Sequence, residues 1–187
     1  TSPRDMRIQL CNLIKREAEN ARQGLRAGII IKVNSLQDKE FIDDLYEASQ
    51  AGVSIKLIIR GMCCLRPARK GLSENIEVIS IVGEYLEHSR IYYFHNAGNP
   101  KVYIGSADAM VRSFDRRIES LFSLEQDLLK KQAMNILRYN LKDNVNAYTM
   151  REDGTYVIKE QYGEPPFNIH KEFFEVTQDT IKDVNLF

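Results

Sequence analysis

Gly28-Ile29-Ile30-Ile31-Lys32-Val33-Asn34 is the stretch on which the fold turns. Four β-branched residues broken only by one lysine show no helical period, and such side chains lose rotamer freedom in a helix. The run reads as a strand buried on both faces. Asp38 to Ala51 then sets Phe41, Leu45 and Ala48 on one helical face, Gly52 supplies a stop, and Val53 to Ile59 is a second β-branched strand. Strand, helix and strand together form a βαβ unit, for which a parallel pair with a right-handed crossover is expected.

Outward from this unit, Ser2-Pro3 suits the cap and first position of a helix in which Met6, Leu10, Leu13 and Ile14 recur at helical spacing up to Gly24. Downstream, Gly61 to Asn75 reads as a long basic loop and Ile76 to Ile81 as a third strand. Arg90 to Phe94 and Lys101 to Ile104 form a hairpin around Asn96-Ala97-Gly98-Asn99, and Arg117 to Leu124 alternates like a further strand. Leu128 to Leu141 predicts an amphipathic helix with Leu129, Ala133, Ile136, Leu137 and Leu141 inward. Tyr148 to Lys159 predicts a small hairpin around Asp153-Gly154, and Ile169 to Val176 a short helix beyond Pro165-Pro166. The fold class is α/β, a mixed sheet sandwiched by helices. Residues 1–142 make the α/β domain, and residues 143–187 a C-terminal hairpin and helix appendage packed on it.

Lys+Arg and Asp+Glu both total 26, so the net charge is zero and bulk charge will not hold this chain to nucleic acid or to an anionic membrane. No apolar run has the length of a membrane span, which leaves peripheral association at most. Cys11, Cys63 and Cys64 make neither a disulfide framework nor a metal-binding spacing, which suits reduced thiols in the cytoplasm. Charge is nevertheless segregated. Residues 48–73 carry Lys56, Arg60, Arg66, Arg69 and Lys70 and no acid, whereas residues 152–187 hold three basic and eight acidic side chains. The cationic stretch reads either as an anion site or as a solvated loop. The chain starts at Thr1 rather than Met, as a processed protein or a piece of a longer one would.

The densest chemistry lies in Tyr85-Leu86-Glu87-His88-Ser89-Arg90, followed by Gly105-Ser106-Ala107-Asp108. Alternation puts His88 and Arg90 on one face of an extended segment, where Arg can clamp a phosphoryl group and His can move a proton or attack. Ser106 can add a hydroxyl at the same mouth. Lys32 and Asn34, at the end of the first strand, are candidate phosphate contacts. His95 and His170 read as surface or structural residues. Tyr92, Tyr93 and Tyr103 read as sheet packing, and Cys63 and Cys64 as small buried hydrophobes. No metal-ligand cluster, Walker A sequence or dinucleotide fingerprint occurs.

A His-x-Arg with a later Gly-Ser-x-Asp resembles the phospholipase D superfamily, whose usual form is His-x-Lys with Gly-Ser-x-Asn. Here Arg90 stands for Lys and Asp108 for Asn. A closer resemblance runs along most of the chain. Val33-Asn34-Ser35-Leu36, Arg60-Gly61-Met62-Cys63-Cys64-Leu65-Arg66-Pro67, Gly71-Leu72-Ser73-Glu74-Asn75, Ile79-Ser80-Ile81-Val82-Gly83, Tyr85 to Arg90, Ser106-Ala107-Asp108 and Asp115-Arg116-Arg117-Ile118-Glu119 are similar to polyphosphate kinases of the first family. The portion matched is the second of that enzyme's two phospholipase-D-like C-terminal domains.

The resemblance implies reversible transfer of the ATP γ-phosphate to polyphosphate, with magnesium (Mg2+) and through a phosphohistidine in a domain absent from this chain. It implies that His88 faces the nucleotide phosphates, that Arg60 and Arg117 contact phosphate, and that the magnesium ligands lie elsewhere. ATP or ADP, polyphosphate, the missing N-terminal domains and a homo-oligomer are then the expected partners, nucleic acid is not, and the fragment is expected to be inactive alone. Where the family usually reads Ser-Ala-Asp-Trp-Met this chain has Ala109, and where a basic residue usually precedes Tyr-Leu-Glu-His it has Glu84. Two other readings of the residues remain beside this one: a self-contained phosphodiesterase acting as a homodimer, and a non-catalytic polyphosphate- or nucleotide-binding module.

Overall fold

β1 (Gly28–Val33) and β2 (Ser54–Ile59) run parallel, with Gly28 opposite Ser54 and Val33 opposite Ile59. Between them lies α2 (Lys39–Gln50). The Asp38 carboxylate caps α2 by accepting the Phe41 N–H at 3.1 Å, and Gly52 leaves it at φ +95°, a conformation that disfavours side chains. The computed structural model describes residues 5–173 and 186–187. Ser2 and Pro3 therefore lie outside the described residues, as does the part of the expected Ile169 to Val176 helix beyond Phe173.

β3 (Ile76–Ile81) continues the parallel set, and antiparallel strands flank it on both sides. β4 (Ile91–Phe94), β5 (Lys101–Gly105) and β6 (Leu121–Ser123) extend one edge, while β7 (Ala147–Met150) and β8 (Tyr156–Ile158) extend the other. The eight-stranded order is β6-β5-β4-β1-β2-β3-β7-β8. The hairpin after residue 142 thus belongs to the central sheet. Its turn holds Gly154 at φ +89°, where a Cβ would fall 2.2 Å from the Arg66 guanidinium, so the basic loop packs on that turn.

Alternation along the strands feeds two cores. Ile29, Ile31 and Val33 join α1 (Met6–Arg22), α2 and Phe114 of the short α3 (Val111–Asp115) on one face. Ile30, Ile58 and Ile79 join Ala133 and Leu137 of α4 (Asp127–Lys142) on the other. Lys32 shares the α4 face with Ile30. Glu17 ties α1 to the sheet, accepting the N–H groups of Gly28 at 2.9 Å and Asn96 at 2.6 Å.

Two expected elements differ. The strand from Arg117 to Leu124 shrinks to the three residues of β6, preceded by α3 and by a turn in which Arg117 N–H meets the Arg112 carbonyl at 3.1 Å. Glu119 turns inward to bond Ser106, which takes residues 117–120 off the β5 ladder. Leu129 does not face a core. It is 39% exposed and lines an open apolar groove with Phe122, Leu124 and Ile136. No helix among the described residues is long and apolar enough to cross a membrane.

Candidate active site

The carboxyl ends of β1 and β2 meet the start of antiparallel β4, a place where open α/β sheets bind ligands. Asn34 follows β1, Arg60 follows β2, and His88 lies on the loop into β4. Arg60 Nε donates to Asn34 Oδ1 at 2.6 Å, and its Nη2 lies 3.2 Å from His88 Nδ1. A guanidinium has only donors, so His88 Nδ1 accepts and the neutral ring carries its proton on Nε2. The other ring nitrogen is thus an N–H donor, and His88 itself is not among the residues lining the neighbouring cleft.

Behind this pair is a wall of buried charge. Lys32 is 5% exposed, and its Nζ lies 3.0 Å from Glu87. Burial pulls the Lys32 ammonium below its ordinary pKa, against the opposing pull of Glu87. The other Glu87 oxygen lies 3.1 Å from His170 Nε2, and His170 Nδ1 accepts the Tyr85 N–H at 3.3 Å. Lys32, Asn34, Arg60, Glu84, Glu87 and His170 help line a cleft of about 270 Å³. Lys32 and Arg60 sit at strand ends, and Glu84 follows the end of β3 in the same lining.

Other sequence candidates sit differently. Arg90 donates through Nε to Asp108 Oδ1 at 3.0 Å and through Nη1 to the His88 carbonyl at 3.0 Å. Asp108 Oδ1 also accepts the Asn34 N–H at 2.7 Å, so this pair shapes the backbone at both Asn34 and His88. The two departures from the phospholipase D pattern are therefore partners of each other. The Ser106 hydroxyl donates to Glu119 and accepts the Ser120 N–H at 3.2 Å. Arg117 is exposed on the loop after α3 and is not among the residues lining the cleft. Lys56 reaches the Leu186 carbonyl at 3.2 Å and the Phe187 ring. Of the five cations in the acid-free stretch, Arg60 alone is among the cleft-lining residues described.

His95 bonds through its N–H to the Gly28 carbonyl at 2.9 Å, at the end of β1 opposite Asn34. Burial pushes the Cys63 thiol up to about 11, so it is a neutral thiol at physiological pH. Sequence alone points to a structural or surface role for His170 and to no role for Glu87. Their contact joins a loop to a short helix across 83 positions, for which no local pattern exists.

The family described as polyphosphate kinase C-terminal domain 2 matches residues 1–170. The chain belongs to that family. It is 50% identical over 156 residues to the polyphosphate kinase of Synechocystis sp., an alignment covering 83% of this chain and 21% of that protein. The crystal structure of polyphosphate kinase from Porphyromonas gingivalis superposes with a TM-score of 0.87 at 40% identity, covering 91% of this chain and 26% of that one. Nuc, a phospholipase D family member from Salmonella typhimurium, shares the fold, with a TM-score of 0.52 at 14% identity over 78% of this chain and 90% of its own. The polyphosphate kinase C-terminal domain described here thus has a phospholipase-D-like mixed sheet, and it spans about a fifth of the length of the curated relatives it matches.

Proposed function

We propose that this domain supplies the nucleotide-facing part of a polyphosphate kinase active site. The reaction is reversible transfer of the ATP γ-phosphate to polyphosphate. The bond from the γ-phosphorus to the β,γ-bridging oxygen breaks, ADP leaves, and a new N–P bond forms on a histidine of a domain outside this chain. That phosphoryl group then passes to the terminal oxygen of a polyphosphate chain. The observation that carries this reading is the Arg60–His88 pair, held by Asn34 at the ends of two parallel strands.

Phosphoryl transfer needs positioning and charge stabilisation above all. Arg60 offers a fixed guanidinium to anionic oxygens, and the His88 Nε2–H donates to the leaving oxygen as its charge grows. Lys32 adds positive potential from below, and Arg117 reaches phosphate only from its separate loop. Among the described residues no group of three His, Cys, Asp or Glu side chains is placed to hold a metal ion. Magnesium would accompany the nucleotide phosphates, with its protein ligands in the domains outside this chain. The chain works in the cytoplasm, within a longer homo-oligomeric polypeptide, and alone it does not make polyphosphate.

Isothermal titration of this chain with ATP and with tripolyphosphate tests the reading. Arg60→Ala and His88→Ala are each expected to weaken binding about tenfold, the loss of a charge-assisted hydrogen bond. Unchanged affinity in both variants would remove the site. Hydrolysis of a chromogenic phosphodiester that disappears in His88→Ala would replace kinase chemistry by phosphodiesterase chemistry.

A further inference from the structure

We propose that His170 is a positioning residue for the Arg60–His88 pair, acting through the loop that carries His88; this rests on that pair being the phosphoryl-transfer site. His170 sits on α5 (Ile169–Glu172), far along the chain from the motif, yet only 6% of it is exposed. Both ring nitrogens are committed to the 83–88 loop. Nδ1 accepts the Tyr85 N–H at 3.3 Å, and Nε2 donates to Glu87 at 3.1 Å. Accepting at Nδ1 leaves the proton of the neutral ring on Nε2, so both contacts demand one tautomer.

The loop is thereby fastened on two sides. Glu87 reaches Lys32 on β1 at 3.0 Å with one oxygen and His170 on α5 with the other. The next residue is His88, so a displaced Glu87 moves His88 Nδ1 away from Arg60. The approach of ring and loop is too close for a side chain at Gly83, where a Cβ would fall 2.4 Å from the His170 ring. The Tyr85 ring meets His170 edge-on at 5.4 Å between centroids.

The clamp also has a rigid base. Asp143, fully buried at the end of α4, accepts the Ile169 N–H at 2.9 Å with one oxygen and the N–H groups of Val145 and Asn146 with the other. Asn168 caps α5 by accepting the His170 N–H at 3.0 Å. The loop also lines a pocket of about 280 Å³ with Ile136, Ile169 and Phe173, where Ser89 supplies a hydroxyl but no second imidazole. The C-terminal segment thus sets the geometry of a histidine it does not touch.

Two substitutions separate bonding from packing. His170→Gln keeps one donor and one acceptor, whereas His170→Phe keeps a ring against Tyr85 and loses both bonds. Titration of this chain with tripolyphosphate should give Gln within about twofold of the wild type and Phe weaker by about tenfold. Nitrogen-15 spectra of His88 should keep a protonated Nε2 in wild type and Gln, and show mixed tautomers in Phe. Gly83→Ala moves the ring without altering its chemistry and should reproduce the Phe result in both measurements. Wild-type affinity and an unshifted His88 spectrum in His170→Phe overturn the proposal, as does that same pair of results in Gly83→Ala should the Phe variant not fold. If Arg60→Ala and His88→Ala leave tripolyphosphate binding intact, the functional reading fails instead, and the His88 spectrum of the Phe variant still reports on the clamp.

Discussion

Arg60 bonds Asn34 through Nε and faces His88 Nδ1 with Nη2 at 3.2 Å, so a single guanidinium fixes the end of β1 and the tautomer of a histidine on another loop. A lysine ammonium is a point donor and cannot span both partners. Arg60→Lys is therefore expected to lose about as much tripolyphosphate affinity as Arg60→Ala, roughly tenfold, although the charge is kept. Asn34→Ala removes one of the two anchors and should cost about threefold. Calorimetric titrations of the three variants at one ionic strength check this; a Lys variant that binds like wild type would show that charge alone matters.

The Arg90–Asp108 pair supports the site instead of facing it. Its side chains are 21% and 12% exposed, so Arg90→Ala leaves a mostly buried carboxylate without its main partner. After discounting for the partial exposure, the expected loss is about 2 kcal/mol. Asp108→Ala should cost more, about 3 kcal/mol, because it also strips the Asn34 N–H of its acceptor. Urea denaturation of both single variants and the double variant measures the coupling. Strict additivity would mean that the pair does not act as a unit.

Which parts could be read from sequence follows from the range of the interactions. The βαβ unit was readable because β1 and β2 are buried on both faces and Asp38 and Gly52 mark the ends of α2 within the chain itself. The same locality misled at Arg117 to Leu124, where an alternating pattern is overridden by the Glu119 contact with Ser106 on another strand. At Leu129 the spacing is helical and apolar, but the helix starts beside a groove and not a core. His88, Arg60 and Asn34 came from motifs and strand ends, and the structure joins them. The roles of Glu87 and His170 depend on tertiary contacts alone. Arg90 and Asp108, 18 positions apart in sequence, are separate departures from a pattern there and direct partners in the fold.

Alkaline pH should destabilise the chain through two thiols, the buried Cys11 and the partly buried Cys63. Burial raises Cys63 to about 11 and Cys11 to about 12 from the ordinary thiol value near 9. Above pH 9 the unfolded chain loses these protons first, so the native state binds more and stability falls as pH rises. The contribution from Cys63 is fully present below pH 9 and is lost by about pH 11, an effect of at most about 3 kcal/mol. Lys32 works the other way, because its lowered pKa makes the unfolded state bind more protons just below 10.5. Comparing wild type with Cys63→Ala isolates the thiol. The stability gap between them should narrow between pH 9 and pH 11, and parallel pH curves would contradict the assignment.

Gly105 makes the sheet edge and the Arg117 loop answer to one backbone position. A Cβ there would fall 2.0 Å from the Ser120 carbonyl oxygen and 3.0 Å from the Leu121 Cα, and this backbone cannot yield without disturbing the pairing of Gly105 with Leu121. The same turn holds Ser106 against Glu119, two residues after Arg117. Gly105→Ala should therefore cost about 2–3 kcal/mol of stability, the range for a steric clash at a restrained position. It should also separate the two arginines. If Arg117 reaches the nucleotide from its own loop, Gly105→Ala weakens ATP binding about threefold while leaving the Arg60–His88 tautomer signal unchanged. ATP affinity equal to wild type in a folded Gly105→Ala chain, with Arg117→Ala equally silent, would take Arg117 out of the phosphate site and leave Arg60 as the arginine of this domain that meets the nucleotide.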